Sequence, residues 1–234
     1  MKLLILGCGF TGKRVARRFA EVVETHRDTP LDEIRKHATP GVLVLHSTPP
    51  QGSAGLLEAL GDAPSRVVYL STTGVYGTAQ VVDETTPADL THERIAEERR
   101  VASGPWSSLI LRPAGIYGPG RGIHERVRRG EACEMSDSII SRIHVEDLAT
   151  HVEAALLSDI TGAWPVADEE PCTSREIAEY CARLLNCPLP PPRELRVHSN
   201  RRVDGSAIRR ALGITLQYPS YRVGIPASLT ARSG

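Results

Sequence analysis

The chain has 234 residues, long enough for one large domain or for a main domain with a small lobe. Lys plus Arg and Asp plus Glu both number 28, so no net charge favours nucleic acid or an anionic membrane as a partner. The content of 41% hydrophobic and 24% charged residues is typical of globular proteins and excludes the disordered and collagen-like classes.

The sequence also argues against membrane insertion, secretion and metal binding. No apolar run approaches the roughly 18 to 20 residues that cross a bilayer, and the opening apolar run meets glycine too early for a signal peptide. The five cysteines are scattered, without a Cys-x-x-Cys pair or a histidine at zinc-ligand spacing. We therefore expect a cytoplasmic protein with reduced thiols and no metal site.

The first half of the chain alternates between apolar runs and helical patterns. The runs are apolar almost throughout, which predicts that both faces of the sheet are covered, as in parallel sheets with right-handed crossovers. The expected fold class is a doubly wound parallel α/β sheet. The pattern predicts strands at 2–6, 22–27, 42–47, 66–71 and 108–112, with helices at 13–20, 54–60 and 93–101.

The second half is less regular and richer in glycine and proline. Thr173 and Glu176 have capping-box spacing and open an amphipathic helix, with Leu184 among its inward residues. Ser206 is expected to cap a short helix that ends at Gly213. The other predicted elements are strands at 139–144 and 163–167 and helices at 146–157 and 207–212.

A glycine-rich segment, GCGFTG, lies between the first predicted strand and helix and matches G-x-G-x-x-G in the context that this motif requires. Gly7 permits the tight turn, Gly9 lets a pyrophosphate approach the backbone, and Gly12 lets the helix pack closely on the strand. An ordinary glycine-rich turn without a ligand is the alternative. We interpret the segment as a dinucleotide-binding turn, with Phe10 and Thr11 among its contact residues.

The end of the second strand normally selects the cofactor, because an acid there pairs with a ribose 2′-hydroxyl and an arginine accepts a 2′-phosphate. Strand alternation places Thr25 and Arg27 on one face, which suits a phosphate, and turns Glu24 to the other. We therefore predict NADP rather than NAD as the cofactor. For Arg27, a solvated charge at the end of the strand is the alternative.

Six segments of the sequence jointly resemble one family. In chain order they are GCGFTG, YLSTTGVYG, DETTP, LRPAGIYGPGR, RIHVEDLA and YPSYRVGI. On these segments the chain resembles the extended and atypical short-chain dehydrogenases, the NAD-dependent epimerase/dehydratase family. The resemblance implies a Rossmann-type NAD(P)-binding domain over 1–115, to which 139–170 return, and a small α+β substrate lobe formed by 116–138 and 171–234.

The resemblance also implies a catalytic arrangement. In this family a Ser or Thr after the fourth strand orients the substrate oxygen, and a Tyr-x-x-x-Lys pair on the next helix passes the proton and holds the nicotinamide ribose. Thr72 matches the hydroxyl position and Arg94 matches the lysine, which leaves Leu90 where the tyrosine would stand. Tyr76 and Tyr117 are candidates to replace the tyrosine, and packing of their loops is the alternative for both.

Further contacts are expected at the carboxyl ends of strands. Arg112 and Pro113 end the fifth strand, and the resemblance implies that they and Gly115 lie near the nicotinamide. Arg121 follows a flexible glycine turn and is predicted to clamp an anionic or carbonyl-bearing substrate, with a solvent-exposed loop arginine as the alternative. The other predicted cofactor contacts are Ser47, Ser71 and Arg94. His92 lies at the start of the helix predicted at 93–101, on which the resemblance places the catalytic pair.

Together these features predict an NADP(H)-binding, atypical short-chain dehydrogenase-like protein. If it is an enzyme, we expect an oxidoreductase or epimerase that acts on a small carbonyl or sugar-like substrate. A non-catalytic NADP(H) sensor or regulatory protein is the alternative, because the expected tyrosine is missing. The sequence does not specify the substrate or the oligomeric state.

Overall fold

The computed structural model describes residues 1–193 and 200–231. A parallel six-stranded sheet lies at its centre, with helices on both faces, so the predicted doubly wound α/β fold class is confirmed. The strands are β1 (Lys2–Leu6), β2 (Glu21–Glu24), β3 (Val42–His46), β4 (Pro64–Leu70), β5 (Val81–Val82), β6 (Ser107–Pro113), β7 (Gly115–Tyr117), β8 (Ile139–Ile140), β9 (Arg142–His144), β10 (Gly162–Val166), β11 (Cys172–Thr173) and β12 (Arg202–Val203). The helices are α1 (Gly12–Ala16), α2 (Leu31–His37), α3 (Leu56–Leu60), α4 (Glu93–Ala102), α5 (Ile123–Arg128), α6 (Val145–Leu156), α7 (Ser174–Leu185), α8 (Ser206–Leu212) and α9 (Tyr221–Thr230).

The central sheet has the strand order β10-β6-β4-β3-β1-β2, and every neighbouring pair is parallel. From β1 the chain moves outward to β2 and then crosses back to β3 on the other side of β1. The carboxyl ends of β1 and β3 therefore form a topological switch point. Open α/β sheets bind their ligands in the crevice at such a point.

Both faces of the sheet are buried, which explains why its strands are apolar without alternation. Leu3 and Ile5 of β1 pack in a cluster with α1, α6 and α8, whereas Leu4 and Leu6 pack with α2, α3 and α4. All four side chains are fully buried. Each such side chain contributes roughly 1.5–3 kcal/mol relative to an exposed position.

The segments beyond β6 build a further apolar cluster outside the central sheet. β7 pairs with β9, and α5, α7 and α9 pack around Tyr117, Ile177 and Tyr221. The division into a cofactor domain and a substrate lobe stays a prediction. Residues 194–199 and 232–234 of the predicted lobe lie outside the described residues.

Two elements near the amino terminus are shorter than predicted. β2 ends at Glu24, and the amide and hydroxyl of Thr25 both donate to the Ile5 carbonyl at 2.9 Å as the chain turns away. α1 ends at Ala16, because the amides of Arg18 and Phe19 bond three residues back instead of four. α2 was not predicted from the sequence.

The carboxyl-terminal half holds one confirmed feature and two corrections. The predicted capping box is present: Thr173 Oγ1 accepts from the Glu176 amide, and the Glu176 carboxylate accepts from the Thr173 amide. Leu184 is 42% exposed, so the inward orientation predicted for it was wrong. Ser206 is the first residue of α8 rather than its cap, although Gly213 ends that helix as predicted. α9 was not predicted, and no helix within residues 1–193 and 200–231 combines the length and apolarity that a bilayer crossing needs.

Candidate functional site

The glycine-rich turn after β1 has the geometry that its motif predicts. Gly7 has a φ of 79°, and a Cβ on it would lie 2.6 Å from Thr48 Oγ1. A Cβ on Gly12 would lie 3.2 Å from Ile5 Cγ2, because α1 packs closely on β1. A Cβ on Gly9 would approach only the Gly7 carbonyl oxygen, at 3.9 Å. Of the three glycines, Gly9 is therefore the one whose backbone faces open space.

The same turn offers hydrogen-bond donors to a ligand. The amides of Phe10 and Thr11 make no hydrogen bond within the described residues. The Phe10 ring contacts two guanidinium groups, those of Arg14 and Arg121, at 4.1 and 5.2 Å from the ring centroid. Available amides and nearby positive charge favour an anionic ligand such as a pyrophosphate.

A cleft of about 1020 Å³ opens at the switch point. Its walls come from 7–9 after β1, 25–27 after β2 and 47–49 after β3, among other segments. None of the described residues that line it carries a carboxylate. Its volume is at the upper end of ordinary ligand pockets, as an extended cofactor requires.

The structure changes the argument made for Thr25 and Arg27. Because β2 ends at Glu24, strand alternation does not extend to these residues, and the expectation that they share a strand face was wrong. Thr25 is 2% exposed, and its hydroxyl donates to the Ile5 carbonyl, so it holds the turn against β1. Arg27 is exposed and lines the cleft, whereas Glu24 is not among the lining residues and lies beside α1.

Three other predicted cofactor contacts are engaged with the protein itself. Ser47 Oγ donates to the Gly7 carbonyl at 2.7 Å, although the residue still lines the cleft. Ser71 is 6% exposed and donates to the Glu98 carboxylate. Arg112 donates to the same carboxylate from Nε at 3.1 Å and from Nη2 at 2.6 Å. Ser71 and Arg112 therefore belong to a buried polar network that ties β4 and β6 to α4.

The two tyrosines proposed to replace the missing proton donor are both buried. Tyr76 Oη accepts from Arg112 Nη1 at 3.3 Å, and burial raises the pKa of Tyr76. Tyr117 Oη donates to the Ser220 carbonyl at 3.3 Å, and burial raises the pKa of Tyr117 far above its usual range. A Cβ on Gly224 would lie 2.2 Å from Tyr117 Oη, so α9 packs directly on this side chain. These contacts favour the packing alternative for both tyrosines.

A second cavity, of about 460 Å³, lies where β4 and β6 end. Thr72 lines it, and Thr72 Oγ1 accepts a hydrogen bond from the Gly74 amide at 3.1 Å at the start of a short 3-10 turn. His92, which caps α4, lines the cavity as well. This cavity therefore brings together the predicted substrate-orienting hydroxyl and an imidazole.

Arg94 and Leu90 lie outside this second cavity. Arg94 Nη1 donates to Tyr69 Oη at 3.3 Å and to the Leu70 carbonyl at 3.1 Å, which directs the guanidinium toward the end of β4. Leu90 is 67% exposed. The position that the resemblance assigns to the tyrosine thus presents an apolar side chain to solvent.

Gly115 lies where the second cavity meets a third one of about 470 Å³. Pro113, two residues earlier, is buried at the end of β6. Arg121 lines the third cavity together with Arg126 and Arg142, and arginines outnumber glutamates along its walls. The charge of this cavity suits an anionic group on a ligand.

Comparison with known proteins gives whole-chain matches, although no family model matches the chain. The 3-diazoavenalumate denitrifying reductase of Streptomyces sp is 29% identical over 240 residues, covering 82% of this chain and 78% of that protein. A functionally unknown conserved protein from Silicibacter pomeroyi DSS is 31% identical with a TM-score of 0.81, over 98% of both chains. A candidate NAD-dependent epimerase/dehydratase from Methylobacillus flagellatus is 26% identical with a TM-score of 0.79, over 100% of this chain and 99% of that one. Over its whole length the chain is similar in sequence and in fold to NAD-dependent epimerase/dehydratase proteins.

A more distantly related enzyme shares the fold. The UDP-glucose 4-epimerase of Thermus thermophilus, solved in complex with NAD, has a TM-score of 0.82 at 20% identity, over 100% of this chain and 99% of that one. The predicted family resemblance is therefore confirmed at the level of the whole fold.

Sequence reasoning missed one residue of the second cavity. Arg201 is 8% exposed and lines the cavity. Its Nε donates to the Ala79 carbonyl at 3.0 Å, and its two terminal nitrogens donate to the carbonyls of Thr73 and Gly77. Arg201 therefore holds the 3-10 turn that carries Thr72 against the rest of the site. No sequence pattern pointed to it, because these carbonyls lie more than 120 residues earlier in the chain.

Proposed function

We propose that this protein binds a nicotinamide dinucleotide in the cleft at the switch point and acts on a small carbonyl or sugar-like substrate as an oxidoreductase or epimerase. The observation that carries the proposal is the turn at 7–12. Gly9 faces open space and lines a large cleft whose described lining carries no carboxylate, and the amides of the next two residues make no hydrogen bond within the described residues. The similarity to NAD-dependent epimerase/dehydratase proteins supports the same function.

The residues of the cleft fit such a cofactor. The amides of Phe10 and Thr11 would hold the pyrophosphate, and the segment 25–27 would meet the adenosine ribose. When bound, the nicotinamide supplies the two-electron chemistry that these enzymes need. In this proposal Thr72 orients the substrate oxygen through its hydroxyl, and the second cavity holds the reacting group.

For the choice of cofactor we propose NADP. Arg27 is exposed at the cleft, and the acid that would pair with a ribose 2′-hydroxyl, Glu24, lies beside α1 instead. A guanidinium favours a 2′-phosphate through charge-assisted hydrogen bonds. NAD is the competing cofactor, because the Thermus thermophilus epimerase was solved with NAD.

The substrate proposed here carries an anionic group in addition to its carbonyl or hydroxyl. The third cavity adjoins the second at Gly115, and Arg121, Arg126 and Arg142 line it. A substrate that spans both cavities would place its reacting carbon near Thr72 and its anionic group near Arg121. This arrangement extends the clamping role predicted for Arg121 to neighbouring arginines.

A titration tests the cofactor proposal. Calorimetry of the purified full-length protein with NADP(H) and NAD(H) should give saturable binding of at least one pair. Absence of binding by all four forms at millimolar concentration would contradict the proposal. A panel of sugar nucleotides, aldehydes and ketones then tests for turnover, with Thr72→Ala as the variant expected to abolish it.

A non-catalytic NADP(H) sensor is the second candidate function. It is favoured by the exposed, apolar Leu90 and by Arg94, whose guanidinium is bound to Tyr69 and the main chain. The two functions differ in whether bound NADPH is consumed. Turnover that Thr72→Ala abolishes would exclude the sensor, whereas binding without any turnover would favour it.

A further inference from the structure

His92 both caps α4 and reaches the second cavity. Its Nδ1 accepts a hydrogen bond from the Arg94 amide at 3.2 Å. Its Nε2 lies 3.2 Å from the point where a Cβ on Gly74 would stand, and Thr72 Oγ1 lies 3.4 Å from the same point. The imidazole and the Thr72 hydroxyl therefore approach each other across Gly74.

The bond at Nδ1 fixes where the ring proton lies. A backbone amide can only donate, so Nδ1 must present its lone pair to Arg94. In the neutral imidazole the single ring proton is then on Nε2. This nitrogen makes no hydrogen bond to any residue that the structure describes. His92 therefore offers a free donor to the cavity.

The surroundings of this donor suit an oxygen that gains negative charge. Thr72 Oγ1 accepts from the Gly74 amide, which leaves its own proton for another acceptor. Arg201 adds a buried positive charge to the wall of the cavity, and it pairs with main-chain carbonyls rather than with any carboxylate of the described residues. Two donors on the same side of Gly74, with a cation in the same cavity, can stabilise an oxyanion that binds between them.

We propose that His92 is a catalytic residue that donates a hydrogen bond from Nε2 to the carbonyl oxygen of the substrate, beside the hydroxyl of Thr72. This inference rests on the proposed function, because it requires a carbonyl group in the second cavity. The bond strengthens as negative charge develops on the oxygen and so stabilises the transition state more than the bound substrate. The proton stays on Nε2, and His92 supplies a donor that the exposed Leu90 does not.

A capping role alone would also place His92 at this position, so the variants must separate the two roles. His92→Asn keeps a side-chain acceptor suited to capping but ends short of the cavity. His37→Asn, at the end of α2, is the matched control because it changes a histidine outside both the cleft and the second cavity. Melting temperatures of both variants should stay close to that of the unaltered protein.

Nuclear magnetic resonance of the ring nitrogens tests the geometry without any ligand. In the full-length protein labelled with 15N-histidine, the His92 signals are those that disappear in His92→Asn and persist in His37→Asn. At pH 8 we expect a protonated Nε2 and an unprotonated Nδ1. A proton on Nδ1 would overturn the inference, because Nε2 would then be an acceptor.

Kinetics test the role of the donor. On the carbonyl compound that the unaltered protein turns over fastest in the panel above, we expect His92→Asn to lower kcat by about 100- to 1000-fold, the usual loss when one oxyanion donor is removed. The dissociation constant of NADPH should not change, and His37→Asn should have no effect. An unchanged kcat in His92→Asn would overturn this inference and leave the proposed function intact. NADPH binding without turnover in the unaltered protein would overturn the enzymatic function and this inference together.

Discussion

Replacing Gly9 with alanine should separate cofactor binding from folding. Gly9 does not have a positive φ, and a Cβ on it would meet nothing closer than the Gly7 carbonyl oxygen at 3.9 Å. Gly9→Ala should therefore leave stability unchanged or raise it by about 0.4–1 kcal/mol, since alanine restricts the unfolded chain. The added methyl group nevertheless occupies the space through which a pyrophosphate would reach the amides of Phe10 and Thr11.

The size of the binding defect follows from the contact that is lost. A hydrogen bond to a charged group contributes about 1.5–3 kcal/mol, so losing one such bond weakens binding roughly 10- to 100-fold. Gly41→Ala provides the opposite control: Gly41 has a φ of 82° and lies at the amino end of β3, away from the cleft. That change should lower stability by about 1–2 kcal/mol and leave binding intact.

Urea unfolding measures the stability of each variant, and calorimetry measures NADPH binding. Gly9→Ala should lose affinity for NADPH without losing stability, and Gly41→Ala should lose stability without losing affinity. Full affinity in Gly9→Ala would refute the reasoning, because the phosphates would then not approach the backbone at this glycine.

Three further predictions concern charge. Arg27→Ala should weaken NADP binding by roughly 10- to 100-fold and leave NAD binding unchanged in calorimetry, because the guanidinium meets only the 2′-phosphate; equal losses for both cofactors would contradict this role. Glu98→Gln should lower the free energy of unfolding in urea by about 3–5 kcal/mol, because it leaves the buried Arg112 without its countercharge; a loss below 1 kcal/mol would show that the pair is solvated. Burial raises the pKa of Asp168 to about 8. Between about pH 4 and pH 8 the folded state therefore keeps a proton that the unfolded state has released, so the free energy of unfolding falls as the pH rises through this range. Asp168→Asn should remove this loss, so its stability relative to the unaltered protein should increase from pH 5 to pH 8 in urea unfolding, and a constant difference would count against the raised pKa.

The elements that sequence predicted well are those whose signals are local. β1 and the glycine turn were identifiable because an apolar run, a tight turn and a helix follow each other within a few residues. The capping box of α7 depends on two residues, Thr173 and Glu176, that are three positions apart. Local patterns of this kind predict the structure correctly because the contacts that they describe lie within one segment of the chain.

The errors arose where tertiary contacts decide the outcome. The sequence 22–27 continues a strand pattern, but β2 ends at Glu24 and the Thr25 hydroxyl bonds to the Ile5 carbonyl. No local pattern indicated that the buried Glu98 on α4 binds the guanidinium of Arg112. Arg201 reaches the second cavity from the far end of the chain. Periodicity cannot report such pairings, because their partners are distant in sequence.

The central claim is that a nicotinamide dinucleotide lies along the carboxyl edge of the sheet, from the glycine turn to Thr72. A crystal structure of the full-length protein soaked with NADP(H) tests this claim most directly. The account predicts a pyrophosphate against the turn at 7–12, the adenosine ribose beside Arg27 and the nicotinamide next to the cavity that Thr72 and His92 line. A dinucleotide bound elsewhere on the protein, or a cleft that stays free of it at saturating concentration, would contradict the account.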